Sequence, residues 1–208
     1  GNTAHFVQAK DGTKIRFAHW DGGDKGMVLL LSGRTEFVEK YSETIKNLTL
    51  RGFNVVTLDW RGQGLSDHID GRNDRGDVLS FAEYQQDIDA VLNHAAIADY
   101  QGPKFLFSHS MGGCISLRHL LGKHGFKGAV FSAPMWGIDV PPLKLKALSI
   151  VAKLFTKMGK GQKHAPTQNG EFYILNNPFE GNDLTTDPAQ FEFFKDLVAK
   201  NPAVGLGG

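Results

Sequence analysis

Lys104-Phe-Leu-Phe-Ser108 is an apolar run with the composition of a buried strand, and His109-Ser110-Met111-Gly112-Gly113 carries it straight into a helical pattern from Met111 to Leu121. A serine on so sharp a strand-to-helix turn is pushed out from the edge of a sheet. The residues two before and two after it must be small, because strand and helix converge there. Ser108 and Gly112 meet that need. The helix that starts at Met111 also directs free N–H groups and the positive end of its dipole toward the space above Ser110, where an oxyanion would be stabilised. A plain serine-rich linker would account for the serines, but not for the strand, the glycine pair and the helix together.

Outward from this turn, strands and helices alternate. His5 to Ala9 and Lys14 to Trp20 read as a hairpin about the Asp11-Gly12 turn. Met27-Val-Leu-Leu-Leu31 and Asn54-Val-Val-Thr-Leu-Asp59 read as strands buried on both faces. Phe37 to Arg51 is expected as one helix, stopped by Gly52. Ser80 is expected to cap another from Phe81 to Ala96. Gly128-Ala-Val-Phe-Ser132 supplies a sixth strand, and the alternation implies a doubly wound, mostly parallel α/β sheet.

The pattern changes after Ala133-Pro134. From Val140 to Gly170 there is no acidic residue, while Lys144, Lys146, Lys153, Lys157, Lys160 and Lys163 lie within it. Leu143, Ala147, Ile150, Val151, Leu154 and Phe155 form a helical apolar stripe, and a second helix is expected over Asp187 to Lys200. The division drawn from this shift is a sheet core over residues 1–136 and a helical cap over 137–208.

The chain has 208 residues, 41% of them hydrophobic and 22% charged, which fits a globular core and excludes a disordered or collagen-like chain. Lys+Arg 23 against Asp+Glu 22 leaves a net charge of +1, too balanced for the basic field on which nucleic-acid binding rests. Cys114 is the only cysteine, so neither an intrachain disulfide nor a cysteine metal cluster can form. No apolar run is long enough to span a membrane. The expected location is cytoplasmic, with peripheral membrane contact through the basic cap, and no cofactor or metal is expected.

Two further segments precede the serine turn. Leu31-Ser-Gly-Arg-Thr-Glu36, with Lys40-Tyr41 after it, follows the third strand; Asp59-Trp-Arg-Gly-Gln-Gly-Leu-Ser66 follows the fourth. The Gly-x-Gly of the second lacks the third glycine and the placement of a dinucleotide fingerprint. With the turn at Ser110, this ordered set resembles the α/β-hydrolase fold, and within it the monoacylglycerol lipase and bacterial lysophospholipase group. The resemblance implies Ser110 as nucleophile and the backbone N–H groups of Met111 and Arg34 as oxyanion donors, with no metal. Ser32 stands where the group usually has histidine. The Arg34 side chain is open to two readings, an anionic head group or an ion pair with Glu36. Asp59 and Arg61 are expected to shape the floor of the site, with Gly62 and Gly64 allowing positive φ.

In this fold the acid and then the base follow the serine. Only His119, His124 and His164 do so here. The first two lie on or just beyond the helix after the turn, and His164 falls in a basic loop with no strand before it. His109 is expected to bond locally. No seventh or eighth strand is visible after Phe131, so the catalytic acid and base are expected in polypeptide outside these residues or in a second chain. Met135 and Trp136 are candidate walls of the substrate pocket. The expected activity is hydrolysis of a lysophospholipid or monoacylglycerol through an acyl-enzyme. A peptidase, a C–C hydrolase and a non-catalytic binding protein on the same fold are the alternatives, whereas dehalogenase and epoxide hydrolase chemistry is disfavoured because Ser110 stands where those families carry aspartate.

Overall fold

In the computed structural model, residues 3–137, 139–161, 163, 170–182 and 184–206 are described. Six strands, β1 Thr3–Gln8, β2 Lys14–Trp20, β3 Gly26–Leu31, β4 Phe53–Leu58, β5 Lys104–His109 and β6 Phe126–Ser132, form one sheet in the order β1-β2-β4-β3-β5-β6. The hairpin β1–β2 is antiparallel and joins β4 antiparallel, while β4, β3, β5 and β6 run parallel. Chain order reverses beside β3, where such sheets bind their ligands beyond the carboxyl ends of the strands.

The helices are α1 Ser42–Leu50, α2 Tyr84–Leu92, α3 Ala95–Ala98, α4 Met111–Leu120, α5 Pro142–Lys157, α6 Tyr173–Asn176 and α7 Pro188–Lys200. Strand side chains alternate faces, and the two cores follow that period. Leu29, Leu31, Val56 and Leu58 pack with Ile88 and Val91 of α2 and Ile115 of α4. Leu30 and Val55 face the other way, onto Ile45 of α1. Each such burial contributes roughly 1.5–3 kcal/mol before conformational entropy is charged against it.

Two expected helices are broken. Over 37–51, Val38–Tyr41 is a tight 3-10 turn and α1 starts only at Ser42. Phe37 stays extended and buried, and the Val38 N–H donates to the Asp59 carboxylate at 2.8 Å. Over 81–96, Ser80 Oγ accepts from Ala82 N–H as expected, but His94 turns extended and its Nδ1 caps a separate helix, α3. At His94 the ring captures the Ala96 N–H that a continuous helix would have used internally, whereas the Asp59 carboxylate takes a Val38 N–H that a first helical turn leaves free.

A satellite core of Phe37, Ile174, Phe191, Phe194, Val198 and Val204 seats α6 and α7 over the segment that follows β3. By contrast α5 buries no residue: Leu148, Ile150, Val151 and Leu154 are each about half exposed. On β6, Val130 is also exposed.

Arg61 fastens three elements at once. Its Nε and one terminal nitrogen reach Asp87 of α2 at 2.9 and 2.7 Å, and the other nitrogen reaches Asp11 of the hairpin turn at 2.6 Å and Glu83 at 3.1 Å. Asp87 is fully buried. Removing it leaves Arg61 Nε and one terminal nitrogen without their acceptor in the interior, so Asp87→Ala is expected to cost about 3 kcal/mol in urea denaturation, and the double variant Arg61→Met/Asp87→Leu less than the sum of the single changes.

Candidate functional site

Ser110 sits at the end of β5 with φ 48° and ψ −119°, a left-handed conformation that strains any residue with a Cβ. Three main-chain bonds hold it there. Its N–H donates to Ser132 O at 3.2 Å, and its carbonyl accepts from the Gly113 and Met135 N–H groups, both at 2.9 Å. Gly112 lets α4 come this close: a Cβ there would lie 2.5 Å from the carbonyl oxygens of both Leu31 and Ser32. Ser108, two residues before the turn, is fully buried, as the convergence of strand and helix demands.

The loop after β3 lies directly against this serine. A Cβ on Gly33 would stand 3.0 Å from Ser110 Cβ. The Gly33 N–H donates to Glu36 Oε2 at 2.5 Å, and the Thr35 N–H donates to Gln63 Oε1 at 2.5 Å. Between them, the Arg34 N–H has no acceptor among the described residues, and neither has the Met111 N–H at the start of α4. Two main-chain donors thus stay unpaired among the described residues, one next to Gly33 in the chain and one next to Ser110.

Glu36 is buried and also accepts from Lys40 Nζ at 2.7 Å and Tyr41 Oη at 2.5 Å. Burial pushes its carboxyl up, but the charge of Lys40 and the hydrogen bonds from Lys40 and Tyr41 outweigh that and hold it below the usual carboxylate range. Burial and this same carboxylate push the Tyr41 hydroxyl far up. The Arg34 side chain does not pair with Glu36; it leans toward Gly76 O at 3.5 Å. Sequence reasoning missed the part Glu36 plays, although a glutamate four residues before a lysine was a visible signal for one of its bonds.

Below the loop, the turn after β4 supplies the floor. Gly62 and Gly64 take φ 74° and 55°. Trp60 Nε1 donates to Ser32 O at 2.9 Å, and Asp59 accepts from Val38 and Leu65 N–H at 2.8 and 2.9 Å. Asp59 is fully buried, and burial pushes its carboxyl up to about 6, against the pull of Arg16 at 3.3 Å and the two N–H bonds.

No imidazole stands at Ser110 among the described residues. His109 Nδ1 is 3.1 Å from Ser132 O and its Nε2 3.9 Å from Glu36. His119 and His124 pack against Phe126, and burial pushes His119 down. His164 lies outside the described residues. Met135 bonds Ser110 through its main chain and packs its side chain on the main core, whereas Trp136 lies edge-on to Phe131 and donates to Gly113 O at 3.4 Å. A cavity of about 290 Å³ is lined by Glu36, Lys40, His109, Ser132 and Phe191, of which His109 precedes Ser110 and Ser132 accepts its N–H. A second, of about 240 Å³, lies between Thr35 of the loop and Phe172, Ile174, Phe194 and Leu206. Among the described residues no cluster of His, Cys, Asp or Glu is placed to hold a metal, and no helix is long and apolar enough to cross a membrane.

The fold is shared with known proteins. The family model described as Serine aminopeptidase, S33 matches residues 22–203. Lysophospholipase L2 of Escherichia coli is 29% identical over 185 residues, which are 88% of this chain and 53% of that protein. The structure of a soluble variant of monoglyceride lipase from Saccharomyces cerevisiae, in complex with a substrate analog, superposes with a TM-score of 0.56 at 25% identity, over 76% of this chain and 52% of that one. A thermostable carboxyl esterase from Bacillus coagulans has the same fold, with a TM-score of 0.63 at 20% identity over 79% of this chain and 53% of that one. The chain therefore spans about half the length of these relatives.

The close approach at Gly112 sets an expectation. Gly112→Ala must move either the end of β3 or the start of α4, because both atoms its Cβ meets are main chain. The variant is expected to lose about 2–4 kcal/mol in urea denaturation, as overpacking against rigid backbone does at its upper range.

Proposed function

Because the chain belongs to the serine aminopeptidase S33 family, we propose that it is a serine hydrolase of carboxylic esters, acting on a lysophospholipid or a monoacylglycerol through an acyl-enzyme on Ser110. The observation that carries this reading is the strained Ser110 flanked by the unpaired N–H groups of Arg34 and Met111. Ser110 Oγ attacks the ester carbonyl carbon while its proton passes to a base. The carbonyl oxygen becomes an oxyanion and accepts from both N–H groups, which are worth most where charge develops in a site shielded from water. Collapse of the tetrahedral species expels the alcohol, which takes the proton from the base, and water then releases the acyl group by the same steps in reverse.

The base must be an imidazole oriented by a carboxylate. His109, His119 and His124 are engaged elsewhere and His164 lies outside the described residues, so we assign both groups to polypeptide beyond the described residues or to a second chain. The lipid ester is favoured by what the relatives are named for and by the largely apolar lining of the cavity between Thr35 and Phe172, Ile174, Phe194 and Leu206. Met135 holds the serine turn through its main chain, and Met135 and Trp136 are assigned to the pocket wall. A peptide substrate is the second reading, favoured by the description of the family.

A fluorophosphonate probe is expected to label the full-length gene product, and Ser110→Ala to abolish labelling. Release of fatty acid from a lysophospholipid or monoacylglycerol, and not of amino acids from peptides, separates the two substrates. Absence of labelling would leave a non-catalytic member of the fold.

The same reading extends to a membrane surface. α5 carries apolar side chains about half exposed, beside Lys144, Lys146, Lys153 and Lys157, in a stretch without acidic residues. Such a helix suits an anionic interface, each lysine near the surface adding about 1 kcal/mol at low salt. Vesicles containing phosphatidylserine are expected to bind the full-length protein at least about tenfold more tightly than phosphatidylcholine vesicles, and Lys146→Glu/Lys153→Glu to erase the difference. Equal binding to both lipids removes the charge argument.

A further inference from the structure

The loop after β3 and the turn after β4 are bridged by one side chain that the reaction scheme above does not use. Gln63 is buried on the turn. Its Nε2 donates to the Gly33 carbonyl at 3.3 Å, and its Oε1 accepts the Thr35 N–H at 2.5 Å. Only one orientation of the amide satisfies both partners, since a carbonyl must accept and an N–H must donate.

The consequence falls on the peptide between Gly33 and Arg34. That peptide is trans, so its C=O and N–H point to opposite edges of one plane. Turning the Gly33 carbonyl toward Gln63 turns the Arg34 N–H away from it. Glu36 and Gln63 consume the N–H groups of Gly33 and Thr35, and the Arg34 N–H between them is left without an acceptor among the described residues, in the loop whose Gly33 lies against Ser110. Glycine at 33 makes such a clamp necessary, because a glycine leaves the adjoining peptide free to rotate.

We propose that Gln63 is the positioning residue of the oxyanion donor, its carboxamide gripping the Gly33 carbonyl and the Thr35 N–H so that the Arg34 N–H is held toward the ester oxygen. This deepens the esterase reading and rests on it. Glutamate keeps the acceptor for Thr35 but, when ionised, has no donor for Gly33. Methionine keeps the volume and loses both bonds.

The test measures kcat and KM on a p-nitrophenyl ester with the full-length gene product. Gln63→Met and Gln63→Glu are expected to lower kcat by about 10–100-fold, short of the loss from deleting a donor outright, with KM changed less than about twofold. A trifluoromethyl ketone, which forms an oxyanion on the serine, is expected to lose affinity by the same factor as kcat/KM. In Gln63→Glu the protonated carboxyl regains an O–H for Gly33, so its kcat relative to the unsubstituted enzyme at the same pH rises as pH falls. Should Gln63→Met not fold, that pH ratio carries the test by itself. Wild-type kcat in the variants, a loss confined to KM, or a flat pH ratio overturns the proposal. Failure of the esterase reading is a separate result: the unsubstituted enzyme itself would then hydrolyse no ester.

Discussion

The close approach of β3 to the first turn of α4 is the constraint on which the rest of the molecule depends. At Gly112 the backbones meet with room for hydrogen and nothing larger. This contact forces the chain to turn within one residue, and Ser110 absorbs the turn in a left-handed conformation that costs of order 1–3 kcal/mol. The surrounding bonds to Ser132, Gly113 and Met135 repay it by leaving no main-chain group of the serine unsatisfied. The strain and the exposure of the hydroxyl have one cause.

A second layer keeps the neighbouring loop from relaxing away. Ser32, Gly33, Thr35 and Val38 are each tied to the turn after β4, through Trp60, Gln63 and Asp59. Those residues are in turn anchored by Arg16 and, through the same turn, by Arg61 with its acids on α2 and the hairpin. A charge network around the turn after β4 thereby sets the position of an uncharged amide on that same turn. Glu36 completes the frame from above, accepting three donors that a neutral side chain could not hold together.

The sheet was legible in the sequence wherever burial alone decided the residue types. The runs over β3, β4 and β5 are continuous and apolar because both faces are covered, and no competing reading fits their length. The serine turn was legible for a different reason: strand, small residues and helix are all local to it. The breaks in the helices over 37–51 and 81–96 were not, because a carboxylate more than twenty residues away and a histidine in an unusual capping role decide them. Gln63 was hidden in the same way. Its meaning lies in a contact across thirty residues of chain, and nothing in the spacing of the turn announces it.

The donor beside Ser110 belongs to the main chain of residue 34, while the side chain of that residue leans away, toward Gly76. Chemistry and recognition are therefore written at one position in two independent alphabets. Any residue but proline presents the same N–H, so exchange of arginine for another side chain would leave the donor in place while changing the charge beside Gly76. Drift at this single codon would therefore change the charge around the loop without touching its main-chain donor.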